Sequence, residues 1–188
     1  MVQESAVDLK AVTEVILADL GATLQILRLA GREFGASGGC PRRIQDCIAS
    51  LGFELCVEAV AMGTWPVDKR HPRAHACWTH SRQIAEYCHL LAGQLEEMNT
   101  EDAYLVGLFH ELGALPGILG WQHAQNDSLD EATAGYILAK QWLLPDVIAD
   151  SMLEVSSFRP ARWTGIVLAA HELAKTGVAA NAIPVTRS

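Results

Sequence analysis

No apolar run in this sequence approaches the ~20 residues that span a bilayer. "VGLF" and "GIVLAA" are typical of its runs. A helical membrane protein is excluded on that ground, and no membrane partner is expected. The opening "MVQESAVDLK" lacks a basic stretch followed by an apolar core, so no secretory signal is expected. Basic residues are in deficit, 14 against 22 acidic ones, for a formal charge of −8. Such a surface repels phosphate backbones, which argues against nucleic acid as a partner. Charged residues total only 19 %, below the usual quarter. With half of the chain hydrophobic, that composition describes a packed globular protein rather than a disordered one.

Several catalytic and structural signatures are also missing. There is no C-x-x-C, and the cysteines (Cys40, Cys47, Cys56, Cys77 and Cys88) are odd in number. A disulfide framework and a zinc knuckle are both disfavoured, and reduced, mostly buried thiols in a cytoplasmic protein are expected. No credible Ser/His/Asp order occurs, and nothing marks a cysteine nucleophile. The Gly-rich "REFGASGGCP" has no Lys-Ser/Thr ending and follows a helix, so it does not read as a phosphate cradle. No period-two run bounded by turn residues is present, which leaves no strand. No repeat of 20–50 residues is found.

Helical periodicity fills the space those absences leave. "SAVDLKAVTEVILADLG" predicts one helix with Ser5 or Asp8 as its N-cap and Gly21 as its stop. "ATLQILRLAG" predicts a second, ending at Gly31. Pro41 suits the first turn of "PRRIQDCIASLG", and Gly52 separates that helix from "FELCVEAVAMG". A long helix follows over "RAHACWTHSRQIAEYCHLLAGQL", with Cys77, His80, Ile84, Cys88 and Leu91 on one stripe. "NTEDAYLVGLFHELGAL" is read as one helix capped by Asn99 or Thr100, with Tyr104, Leu105, Leu108, Phe109 and Leu112 as its core stripe. "SLDEATAGYILAKQWLLP", "PDVIADSMLEVSS" and "RPARWTGIVLAAHELAKTG" complete the set, the last ending at Gly177. The fold class is all-α, with an N-terminal lobe over about 5–63, a core over about 64–177 and a loose tail at 178–188.

Three histidines on three helices, His80, His110 and His171, sit beside apolar stripes, and Glu111 joins them. Helical bundles build metal sites from inward His and carboxylate side chains on different helices. Imidazole with carboxylate suits Mn, Fe, Zn or Ni, and a metal pair could activate water on a phosphoester. The opposing reading is a set of hydrogen-bonded core histidines with Glu111 paired to a neighbouring cation or to His80. His71, His75 and His80 have helical spacings, but Pro72 argues against one helix through all three. Lys69, Arg70 and Arg73 are read as a solvated segment, His89 as a surface residue and His123 as a turn residue. The tryptophans (Trp65, Trp78, Trp121, Trp142 and Trp163) are read as packing at the core and its edge.

"WTHSRQIAEYCHLLA" followed by "EDAYLVGLFHELGAL" resembles the centre of an HDOD domain, a non-catalytic relative of HD-type metal phosphohydrolases. "DLKAVTEVILADLGATLQILRLAG", "RIQDCIASLGFELCVEAVAM" and "GYILAKQWLLPDVI" resemble further segments of that family in the same order. The resemblance runs from about residue 5 to about residue 177. It implies an HD-like bundle of about 8–10 helices. It also implies a non-enzymatic bacterial signal-transduction domain that binds a protein partner or a small ligand, a nucleotide or cyclic dinucleotide among them.

The departures from an active HD site bear on function. His80 matches, but His110 is followed by Glu111 where the family of hydrolases has Asp. The extra methylene moves the carboxylate by roughly a bond length, in sites whose ligand distances hold to about 0.2 Å. Glu131-Ala132-Thr133-Ala134 stands where a His would be, Val155, Ser156 and Ser157 where a His pair would be, and His171 where an Asp would be. Gly135-Tyr136 is followed by Ile137, so the G-Y-P signature of cyclic-di-GMP phosphodiesterases is absent. No catalytic residue is therefore assigned. His80, His110, Glu111 and His171 are a vestigial metal set, with no cofactor as the leading expectation and one divalent ion as its alternative. A degenerate metal-dependent phosphohydrolase and a nucleotide-sensing pocket without turnover remain the rival functions.

Overall fold

Side-chain caps set where four of these helices begin. The computed structural model describes residues 8–35, 40–62, 72–118, 130–153 and 162–177. Among them every regular element is helical and none is a strand. No described helix is long and apolar enough to cross a membrane. Trp65, Lys69, Arg70, His71, Trp121, His123, Val155, Ser156, Ser157 and the tail lie outside the described residues. The chain divides into two compact units, Met1–Trp65 and Pro66–Ser188.

In the first unit, α1 (Leu9–Leu17) starts at Asp8, whose carboxylate accepts from the Lys10 and Ala11 amides. The single helix expected through Gly21 is in fact two. Asp19 is extended (φ −118°, ψ 110°) and its carboxylate accepts from the Ala22 amide, capping α2 (Leu20–Phe34). An aspartate that can bond the backbone two or three residues on competes with helix continuation, which is why the chain breaks there. Gly21 and Gly31, read as stops, are buried inside α2. Thr23 Oγ1 donates to the Ile16 carbonyl at 2.8 Å and ties the two helices together. Gly52, at φ 89° and ψ 144°, separates α3 (Ile44–Leu51) from α4 (Phe53–Met62) in backbone space that favours glycine. Leu24, Ile26, Leu27, Ile44 and Ile48 are fully buried and form this unit's core.

The second unit opens with α5 (Pro72–Ala92), where Pro72 begins the helix without losing an intrahelical bond. Asn99 accepts from the Glu101 and Asp102 amides and starts α6 (Thr100–Phe109). A 3-10 turn (Leu112–Ala114) and the short α7 (Leu115–Ile118) follow. Asp130 caps α8 (Glu131–Gln141) through the Thr133 amide, and α9 (Asp146–Leu153) and α10 (Arg162–Lys175) complete the unit. Ile84, Tyr87, Cys88 and Ala92 of α5 meet Ala103 of α6 and Ile166 and Ala170 of α10 in one buried cluster. Fully burying an isoleucine such as Ile84 contributes about 1.5–3 kcal/mol, and an alanine methyl about 0.8 kcal/mol. Small residues let the helices close: a Cβ on Gly107 of α6 would lie 2.7 Å from Ala85 Cα of α5. His89, expected at the surface, is half-buried and its Nδ1 donates to the Thr100 carbonyl at 3.2 Å, joining the end of α5 to the start of α6.

Candidate metal centre

The helix predicted through "FHELGAL" stops at Phe109. His110 becomes its C-cap and Glu111 lies at φ −97°, ψ 19°, in the sparsely populated bridge region. In a continuous α-helix adjacent side chains point about 100° apart. The break instead lets His110 and Glu111 approach one point. It also lets the His110 imidazole turn back onto its own helix: Nδ1 lies 2.7 Å from the Gly107 carbonyl. A carbonyl only accepts, so Nδ1 carries the proton and Nε2 is left with its lone pair.

That lone pair faces the other two histidines. His80 comes from the middle of α5 and His171 from α10, next to buried Ala170. The ring centroids are 5.3 Å apart for His80 and His110, 5.0 Å for His80 and His171, and 5.0 Å for His110 and His171. One nitrogen from each ring lies within 4.8 Å of the others. Glu111 Oε1 is 3.8 Å from His80 Nε2 and 4.0 Å from His110 Nε2. The tertiary structure thus gathers the three histidines singled out in the sequence at one point and sets Glu111 beside His80 and His110.

The His110 side chain is only 10 % exposed. Its Nε2 is buried without a hydrogen-bond partner, an arrangement that costs on the order of 1–3 kcal/mol when nothing occupies the lone pair. Burial drives the His110 pKa down to about 4, so the ring is neutral and able to donate its electron pair. His171 is also lowered, by burial first and by the His80 ring beside it second. Neutral imidazoles with one N–H anchored on a backbone carbonyl are the form in which histidine ligates metals. The donor set fits a divalent transition ion: three imidazole nitrogens and a carboxylate.

Sequence reasoning missed one contributor. Cys77 Sγ donates to Glu111 Oε2 at 3.3 Å. Cys77 precedes His80 by three residues, which places the two on one face of α5, and that spacing was the available signal. Its thiol is pushed up to about 12 by burial first and by the Glu111 carboxylate second, so it is a protonated donor.

The HDOD domain family model matches residues 1–126, more than half of the chain. The chain belongs to the HDOD family. The matched part of this HDOD domain includes His80, His110 and Glu111, and His171 lies beyond it. A crystal structure of an HDOD domain protein of unknown function from Geobacter sulfurreducens is similar at 20 % identity, over 93 % of this chain and 68 % of that one, with a TM-score of 0.42. No curated protein matches significantly.

A cavity of about 410 Å³ in the HDOD domain is lined in part by His110 and His171. His110, Glu111, Glu131, Ser151, Thr164 and His171 are its polar lining. Val106, Ala114, Ala132, Met152, Val167 and Leu168 supply apolar wall, with Trp163 alongside.

Proposed function

We propose that this HDOD domain is a non-enzymatic regulatory domain of bacterial signal transduction, whose second unit is organised around one divalent transition ion held by His80, His110 and His171 with Glu111. The observation that carries the ion is the buried Nε2 of His110, without a hydrogen-bond partner and turned toward two further imidazoles. The ion would supply cross-linking of α5, α6 and α10 through their histidines. The cavity supports a binding role. Its volume falls in the range of small-ligand pockets, which pair apolar walls with a few polar groups. Two-ion hydrolysis needs a second donor set about 3.5–4 Å from the first ion. The described residues contain one cluster of the required kind, and beyond it the wall pairs Ala, Val, Leu and Met with a single further carboxylate, Glu131, and the hydroxyls of Ser151 and Thr164.

Metal content of tag-free protein, measured by plasma mass spectrometry after purification without chelator, tests the reading. Near-stoichiometric Mn, Fe, Zn or Ni that disappears in His110→Ala is the expected result. Wild-type protein that neither retains nor takes up any of these ions would refute it. The opening of the cavity beside His110 and His171 favours a second reading, a phosphohydrolase acting on a nucleotide or cyclic dinucleotide. That reading predicts turnover of bis(p-nitrophenyl) phosphate by the metal-loaded protein; the regulatory reading predicts none, together with thermal stabilisation by a bound ligand or partner.

A further inference from the structure

We propose that Cys77 is a positioning residue that holds Glu111 as a fourth donor, so that the protein itself fills the coordination of the ion and leaves no place for an outside ligand. This inference rests on the ion-binding reading above. The two oxygens of Glu111 do different things. Oε2 is engaged by the Cys77 thiol at 3.3 Å, and Oε1 stands 3.8 Å and 4.0 Å from the Nε2 atoms of His80 and His110. The thiol therefore orients the carboxylate, leaving its other oxygen toward His80 and His110. Cys77 is itself 8 % exposed and comes from the same helix face as His80, so the donor is held by the packing of α5 rather than by a mobile side chain. Glu111 has its backbone set by the end of α6 on one side and the 3-10 turn on the other. A carboxylate held at both ends is a poor candidate for displacement.

The count of donors has a chemical consequence. Zinc-like sites with four protein ligands are closed and structural, whereas catalytic sites keep three and leave a position for water or substrate. Here the three clustered imidazoles, joined by the Glu111 oxygen that approaches His80 and His110, would make four. The ion would brace the helices, and a molecule in the neighbouring cavity would sit beside it without binding it. The hydrogen bond behind the carboxylate matters because partners of this kind typically change metal affinity by about 10–100-fold when removed. The departure from Asp to Glu acquires a role in this arrangement: the longer side chain spans from the helix break to the α5 face carrying both Cys77 and His80.

Cobalt(II) substitution of the full chain tests this, because its visible ligand-field spectrum reports coordination without any turnover. His110→Ala serves as the blank for adventitious cobalt. Wild-type protein is expected to bind one cobalt with a spectrum that added azide leaves unchanged. Cys77→Ala should bind cobalt about 10–100-fold more weakly and respond to azide. Cys77→Ser, whose hydroxyl can donate in the same place, should restore wild-type affinity and azide resistance. Glu111→Ala should respond to azide most strongly. An azide-sensitive wild-type spectrum, or Cys77→Ala indistinguishable from wild type, would overturn the proposal while leaving the ion in place. A thiolate-to-cobalt charge-transfer band lost in Cys77→Ser would also overturn it, since Cys77 would then be a ligand. Failure of wild type to bind cobalt above the blank would bring down the ion-binding reading and this one with it. Circular dichroism of each variant separates loss of the site from loss of the fold.

Discussion

Replacing Gly113 with alanine places a methyl group where the protein has none to spare. An added Cβ would lie 1.8 Å from the Glu131 carbonyl oxygen and 2.7 Å from its carbonyl carbon. Both are backbone atoms at the start of α8, so no side chain can swing aside. The obstacle is mutual, because a Cβ on Gly135 of α8 would sit 3.2 Å from the Gly113 amide. Relief requires the 3-10 turn to retreat from α8 by an ångström or more, through a contact that also involves buried Leu112. Overpacking of this kind costs about 1–3 kcal/mol, and backbone against backbone belongs at the upper end. Alanine lowers the entropy of the unfolded chain, which returns about 0.4–1 kcal/mol. The net expectation is a loss of about 2 kcal/mol, or a fall in Tm of roughly 4–10 °C for a unit of this size. Gly117→Ala, on α7 with nothing within 4 Å of its Cβ, is the matched control and should leave Tm unchanged or slightly raised. Thermal unfolding by circular dichroism compares the two, and urea midpoints confirm the ranking. Gly113→Ala as stable as Gly117→Ala would refute the claim that the turn and α8 meet backbone to backbone. Because Glu111 lies two residues upstream, the same variant should also bind cobalt more weakly.

Other outcomes follow from the same structure. Gly107→Ala, whose Cβ would meet Ala85 Cα at 2.7 Å and Cys88 Sγ at 3.0 Å, should lower Tm despite alanine's better helix propensity; an unchanged Tm would mean that α5 and α6 are not in close contact there. Asn99→Ala removes the cap of α6 and should cost about 1 kcal/mol by urea denaturation, against a few tenths for Asn99→Gly. In metal-free protein His110 stays neutral when folded, its pKa near 4 against 6.5 for an unhindered ring. The unfolded chain therefore takes up the extra proton between these values. Stability is full above about pH 6.5, falls as pH drops toward 4 and levels off below it, by up to about 3 kcal/mol. His110→Gln should weaken that dependence, leaving the part of the same sign that His171 carries. Removing metal with a chelator should lower wild-type Tm and leave His110→Ala unmoved.

Much of the local structure was legible in the sequence because its causes are local. Asp8 and Asn99 cap helices where their short polar side chains predict, and Gly52 and Gly177 stand at helix ends with positive φ. Apolar spacing also identifies Ile84, Cys88, Leu105, Leu108 and Phe109 as core. The missed break at Asp19 is also local, but two other misreadings have a distant origin. Leu112-Gly113-Ala114 looks compatible with a continuing helix, yet forms a 3-10 turn with Gly113 against the Glu131 backbone, eighteen residues away. His89 reads as a surface residue until the Thr100 carbonyl comes within reach.

For the site, the sequence by itself determined the inventory: three histidines and an acid on or beside apolar helix stripes, in an order that resembles the HDOD family. The all-helical class followed from periodicity alone. Only the tertiary structure decided that His80, His110 and His171 share one point, that His110 keeps its Nε2 lone pair by donating from Nδ1, and that Cys77 stands behind Glu111. The reason is distance along the chain. Helix periodicity constrains neighbours three and four residues apart, whereas Cys77 and Glu111 are 34 residues apart. Their meeting depends on how closely α5, α6 and α10 pack, which is set by Ala85, Gly107 and Ala170 rather than by any residue of the site.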